Sequence, residues 1–110
     1  MDYYCDIENR SIKEIAPGVN ARTFWGDKMM LVTVVVDPGA VVPMHQHPQE
    51  QCGTVVAGEI TFTIDGETRL LKVGDCYIIP GSAAHSAVGG AAGARLVEVF
   101  SPVREDLKYE

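Results

Sequence analysis

The chain has 110 residues, with nine Lys and Arg against fifteen Asp and Glu, a net charge of -6 and a pI near 4.9. That balance supplies no basic footprint for nucleic acid or an anionic membrane. A hydrophobic fraction of 46%, with no apolar run near the roughly 18 residues of a membrane span, excludes a disordered chain and predicts one small domain over residues 1–110.

In chain order, the amino terminus from Met1 to Asp6 has no basic or apolar secretory region, so a cytoplasmic protein is expected. A helical turn is predicted around Ser11–Ile15. Lys28 to Val36 is rich in β-branched residues and reads as a strand ended by the turn Asp37-Pro38-Gly39. Glu59 to Asp65 alternates, with Ile60, Phe62 and Ile64 on one face. Asp65-Gly66 is a hairpin signal, and Glu67 to Val73 is its return strand. Gly74-Asp75 turns into Cys76–Ile79, which Pro80-Gly81 closes, and Arg95 to Phe100 forms the last clear strand. The polar tail after Pro102 is the second helical candidate. Eight or more short strands need a closed arrangement to protect their edges, so an all-β antiparallel barrel is predicted. The three cysteines, Cys5, Cys52 and Cys76, have no CxxC spacing and read as free thiols, with a Cys52–Cys76 bridge as the alternative.

The chain has three histidines, His45, His47 and His85. His45 and His47 stand at i and i+2, which in a strand share a face and can hold one metal ion. Gln51 comes within reach if Pro48-Gln49-Glu50 bends the chain, and His85 must be brought across from another hairpin. Each imidazole suits zinc, nickel, iron or copper, and the Gln51 amide oxygen is a weaker neutral ligand. Strand alternation places Glu50 on the face opposite Gln51. Glu50 and Cys52 remain alternatives for the fourth ligand, although Cys52 fits a buried small apolar position better.

Gly39, five residues, His45-Gln46-His47, three residues, Gln51, six residues and Gly58 resemble the first cupin motif. Gly74, five residues, Pro80-Gly81-Ser82, two residues and His85 resemble the second. Gln51 stands where that motif has glutamate, Ser82 replaces a glycine, and Gly89 takes the place of a later asparagine. The resemblance implies a cupin jelly-roll barrel, also called a double-stranded β-helix. The segments Pro43–Gln51 and Phe100–Asp106 look like the small cupins of pectin and alginate breakdown, which convert 4,5-unsaturated uronate monosaccharides to linear ketouronates. That likeness implies a divalent transition metal (Ni, Zn, Mn or Fe) on His45, His47, Gln51 and His85, with Glu98, Phe100 and Arg104 as catalytic residues. It also implies a homodimer, for which the outward side chains of Lys28–Val36 are candidates.

Glu98 also stands out on its own, because Leu96, Glu98 and Phe100 share a strand face that two large apolar residues mark as interior. An acid there can carry a shifted pKa and move protons. In the opposite arrangement, Val97 and Val99 face the core and Glu98 is solvated. Phe100 would pack against the sugar. Arg104 is expected to pair with a substrate carboxylate, or else to be a solvated arginine beside Glu105. Tyr77 and Met44 either line the pocket or fill the core. Three neutral imidazoles and an amide leave the metal charge uncompensated, which favours an acidic sugar or other carboxylate as ligand. A metal-dependent cupin dioxygenase and a non-catalytic small-molecule-binding cupin remain alternatives.

Overall fold

A computed structural model describes residues 3–109. Among them are eight strands and one short 3-10 turn, and every strand pairing is antiparallel. The strands are β1 (Lys13–Ala16), β2 (Val19–Trp25), β3 (Met30–Val36), β4 (Val41–His45), β5 (Glu50–Ile64), β6 (Glu67–Lys72), β7 (Cys76–Ile79) and β8 (His85–Ser101). The 3-10 turn spans Glu105–Leu107. No helix among these residues is long and apolar enough to cross a membrane.

Two long strands organise the barrel. The first half of β5 pairs with the second half of β8 and with β7, while β3, β2 and β1 extend the sheet from β8. The second half of β5 pairs with β6 and with the first half of β8, whose other neighbour is β4. Register shifts at Val55/Ala57 and Gly58/Ile60 mark the corner where both strands pass from one sheet to the other. Gly58 has φ +70 there, and a Cβ on it would collide with the Gly93 carbonyl oxygen. Only glycine meets both demands.

Alternation fills the space between the sheets. Met30, Val32, Val34 and Val36 of β3 point inward and are buried, as are Val19, Ala21, Val55, Ile60, Phe62, Ile79 and Leu96. The outward Leu31, Thr33 and Val35 are half-buried. The predicted strands at Glu59–Asp65, Cys76–Ile79 and Arg95–Phe100 are all present, two of them as parts of longer strands.

Three expectations are corrected. Residues 13–16 form edge strand β1 rather than a helical turn, because pairing with β2 supplies the hydrogen bonds a lone turn would leave to water. The strand predicted from Lys28 begins at Met30, with Lys28 and Met29 exposed before it. Cys52 is exposed rather than buried, since it alternates with the inward Gln51. The three cysteines are free. The tail after Pro102 supplies only the 3-10 turn.

Candidate metal centre

β4 ends on His45 and β8 begins on His85, and the two residues are cross-strand partners. His47 lies just beyond β4, so the two histidines of the HxH pair do not share one strand. The turn through Pro48 and Gln49 then enters β5, where Gln51 faces inward between Phe100 and Ile79. The three imidazole rings converge, with centroids 4.1, 5.0 and 5.6 Å apart. Each offers one ring nitrogen, all within 4.8 Å of one another.

The backbone selects which nitrogen is offered. His45 Nδ1 lies 2.8 Å from the Pro43 carbonyl, His47 Nδ1 3.0 Å from that of Gln49, and His85 Nδ1 2.8 Å from that of Ala83. A carbonyl only accepts, so each Nδ1 carries the hydrogen and each Nε2 keeps its lone pair. Burial lowers the His47 and His85 pKa values, and the Arg104 charge adds to this, so both rings are neutral near pH 7. The His85 Nε2 is buried with no hydrogen-bond partner.

Gln51 joins them through a second contact. Its Nε2 donates to Glu98 Oε2 at 2.6 Å, which turns Oε1 toward His47 Nε2 at 3.2 Å. Two lone pairs therefore face each other across that gap, beside the unpartnered lone pair of His85. A cation accepting all of them resolves this arrangement, and three imidazoles with one oxygen suit a first-row transition ion. Glu50 is exposed and Cys52 faces outward, so neither competes with Gln51 for this position.

Glu98 is buried at 7% exposure, between inward Leu96 and Phe100, while Val97 and Val99 lie on the outer face. Burial raises its pKa, opposed by hydrogen bonds from Tyr77 and Gln51 and by the Arg104 charge. Tyr77 Oη donates to Oε2 at 2.7 Å, the same oxygen that Gln51 uses. Phe100 packs edge-on against the His47 ring at 5.5 Å. The Arg104 guanidinium lies 5.1 Å over the Phe100 ring and pairs with Asp106 at 2.9 Å. Arg104 Nε is buried without a partner. The Arg104 side chain is 16% exposed, so it is not a solvated surface arginine beside Glu105, which pairs with Lys108.

A cavity of about 460 Å³ is lined by His45, Gln51, His85, Glu98, Phe100 and Arg104, among others. The exposed Met44 is not among its lining residues. Lys13 of β1 and Tyr109 of the tail also border it, and neither was singled out in the sequence. Tyr77, for which pocket lining and core filling were both open, is buried outside the cavity lining and bonds Glu98, and the inward alternation of Tyr77 and Ile79 is the signal the sequence carries for it.

The family described as "Cupin domain" matches residues 32–100. The chain is 34% identical over 106 residues to the pectin degradation protein KdgF of Dickeya dadantii (strain 3937), covering 94% of this chain and 96% of that one. The structure of KdgF from a Halomonas species superposes with a TM-score of 0.87 at 30% identity, covering 98% of this chain and 99% of that one. An RmlC-like cupin from Shewanella frigidimarina superposes at 0.90, also at 30% identity, covering 98% and 97%.

Proposed function

The chain belongs to the cupin family, and from that premise we propose that it is a metal-dependent enzyme converting 4,5-unsaturated uronate monosaccharides to linear ketouronates. The observation that carries this is the Gln51 amide, held by a buried acid on one side and facing the histidine cluster on the other, within one cavity. The pectin-degradation name of its Dickeya relative supports the substrate class.

In this reading His45, His47 and His85 would hold a divalent transition ion (Ni, Zn, Mn or Fe) through Nε2, with Gln51 Oε1 as the fourth protein ligand. Such an ion supplies Lewis acidity, undiminished here by any anionic protein ligand. Glu98 moves the protons. Its Oε2 is occupied by Tyr77 and Gln51, which leaves Oε1 to take the proton of the anomeric hydroxyl as the ring C–O bond breaks. Oε1 then returns that same proton to C4 as the resulting enolate becomes a ketone, so the reaction is an isomerisation with no net proton change. Phe100 packs against the sugar. Arg104, with one nitrogen on Asp106 and Nε unpartnered, meets the substrate carboxylate. The free thiols fit a reducing, cytoplasmic compartment.

The test is a coupled assay in which a polysaccharide lyase supplies the unsaturated monosaccharide and loss of its conjugated chromophore is followed. The protein should accelerate that loss over spontaneous ring opening, and Glu98→Ala should abolish the acceleration. Wild-type protein that leaves the spontaneous rate unchanged overturns the reading.

A further inference from the structure

The amide of a glutamine can present either end to a ligand, and something must select the oxygen. The selection begins at Tyr77, a residue of β7 outside the histidine cluster. Its hydroxyl donates to Glu98 Oε2 at 2.7 Å, and Gln51 Nε2 donates to the same oxygen at 2.6 Å. With two donors converging on Oε2, any proton on the carboxyl group belongs on Oε1, and Oε2 remains an acceptor. A flipped amide would set Gln51 Oε1 against that acceptor and turn its NH2 toward the histidines, where it could bind no cation.

Space for the tyrosine hydroxyl is built into the neighbouring strand. Gly53 of β5 is the cross-strand partner of both Tyr77 and Glu98. A Cβ at position 53 would lie 2.5 Å from Tyr77 Oη and 2.7 Å from its Cζ. Phe62 supports the tyrosine ring, with centroids 4.5 Å apart. Burial pushes the phenol well above its ordinary pKa, and the Glu98 carboxyl adds to this, so the hydroxyl keeps its hydrogen to donate.

We propose that Tyr77 is a positioning residue for the metal centre: through Glu98 Oε2 it holds the Gln51 amide with its oxygen toward the histidines, and Gly53 provides the room for it to do so. The proposal rests on the metal reading above, but it concerns metal affinity rather than turnover. Loss of the direct hydrogen-bond partner of a metal ligand weakens binding by roughly 10- to 100-fold, and Tyr77 acts one bond further out through Glu98, so the lower end of that range applies to it. A role exercised through Gln51 must vanish when Gln51 is absent.

The experiment is calorimetric binding of Ni²⁺ to chelator-treated wild type, Tyr77→Phe, Gln51→Ala and the double variant, with thermal unfolding reporting their folding. Tyr77→Phe should weaken Ni²⁺ binding by roughly 10-fold in the wild-type background and leave it unchanged in the Gln51→Ala background. Gly53→Ala, which keeps the hydroxyl but displaces it, should weaken binding in the same direction. Equal losses in both backgrounds, or no loss in either, overturn the positioning role and leave the metal centre standing. Wild-type protein that binds no Ni²⁺, Zn²⁺, Mn²⁺ or Fe²⁺ overturns both.

Discussion

Thr23 secures the carboxy-terminal tail. It is fully buried in β2, and its hydroxyl donates to the Leu107 carbonyl at 2.7 Å, with the Tyr109 carbonyl at 3.3 Å. This bond joins residues 84 apart in sequence and holds the segment that carries Arg104 against the barrel. Thr23→Val preserves shape and removes one of two donors to the Leu107 carbonyl, which keeps only the Tyr109 N–H, at a cost of about 0.5–1.5 kcal/mol. Thermal unfolding should show a midpoint lower by several degrees, and the KM for a uronate should rise as Arg104 loosens. At this scale the sequence was informative about residue type and face. The alternation of Leu96, Glu98 and Phe100 and that of Glu50 and Gln51 each offered two faces, and the structure buries Glu98 and Gln51. The sequence said nothing of which imidazole nitrogen is free, because that depends on carbonyls two residues away whose direction is set by the turn.

Among the elements, β5 and β8 carry the most structural information. The sequence showed one half of each as a short strand, Glu59–Asp65 and Arg95–Phe100, which begin just after Gly58 and Gly93. In the structure those glycines are the corner at which each strand continues into the second sheet. A non-glycine residue at φ +70 costs about 1–3 kcal/mol in backbone conformation, and a side chain at position 58 also meets the Gly93 carbonyl. Gly58→Ala should therefore lower the urea midpoint substantially with an unchanged slope, whereas Gly66→Ala, with open space around it, should lower it less. Edge strand β1 escaped the sequence reading for a related reason. Its four residues, Lys13–Ala16, are mostly exposed, so no buried period marks them, and only the partner strand β2 makes them extended.

For the whole molecule, the proposed metal site ties ion binding to stability. An ion that binds only the folded state stabilises it by about 2.7 kcal/mol at a hundred times its Kd. Saturating Ni²⁺ should raise the thermal midpoint of chelator-treated protein by several degrees, and His85→Ala should remove that increment. The outer face carries one apolar row. Phe24, Leu31, Val99, Cys52 and Ile78 lie in register across five strands. All are apolar, and Ile78 is 69% exposed. We propose that a second copy covers this row from Leu31 to Ile78, which takes in Leu31 of the expected Lys28–Val36 contact, while Arg10 already lies over Phe24. Light scattering should report a dimer, and Ile78→Glu should convert it to a monomer by placing a charge in the row.

The sequence by itself determined the all-β character, the inward faces of the central strands and the four residues nominated as ligands. The first two follow from local alternation, which a chain carries whether folded or not, and the ligand set follows from the resemblance of its paired motifs to the cupins. Only the tertiary structure decided that His85 pairs across from His45, that Tyr77 and Gln51 share one oxygen of Glu98, and that the tail closes on Thr23. Each is a contact between residues far apart in the chain, and its geometry exists only once two long strands have bent around a common core.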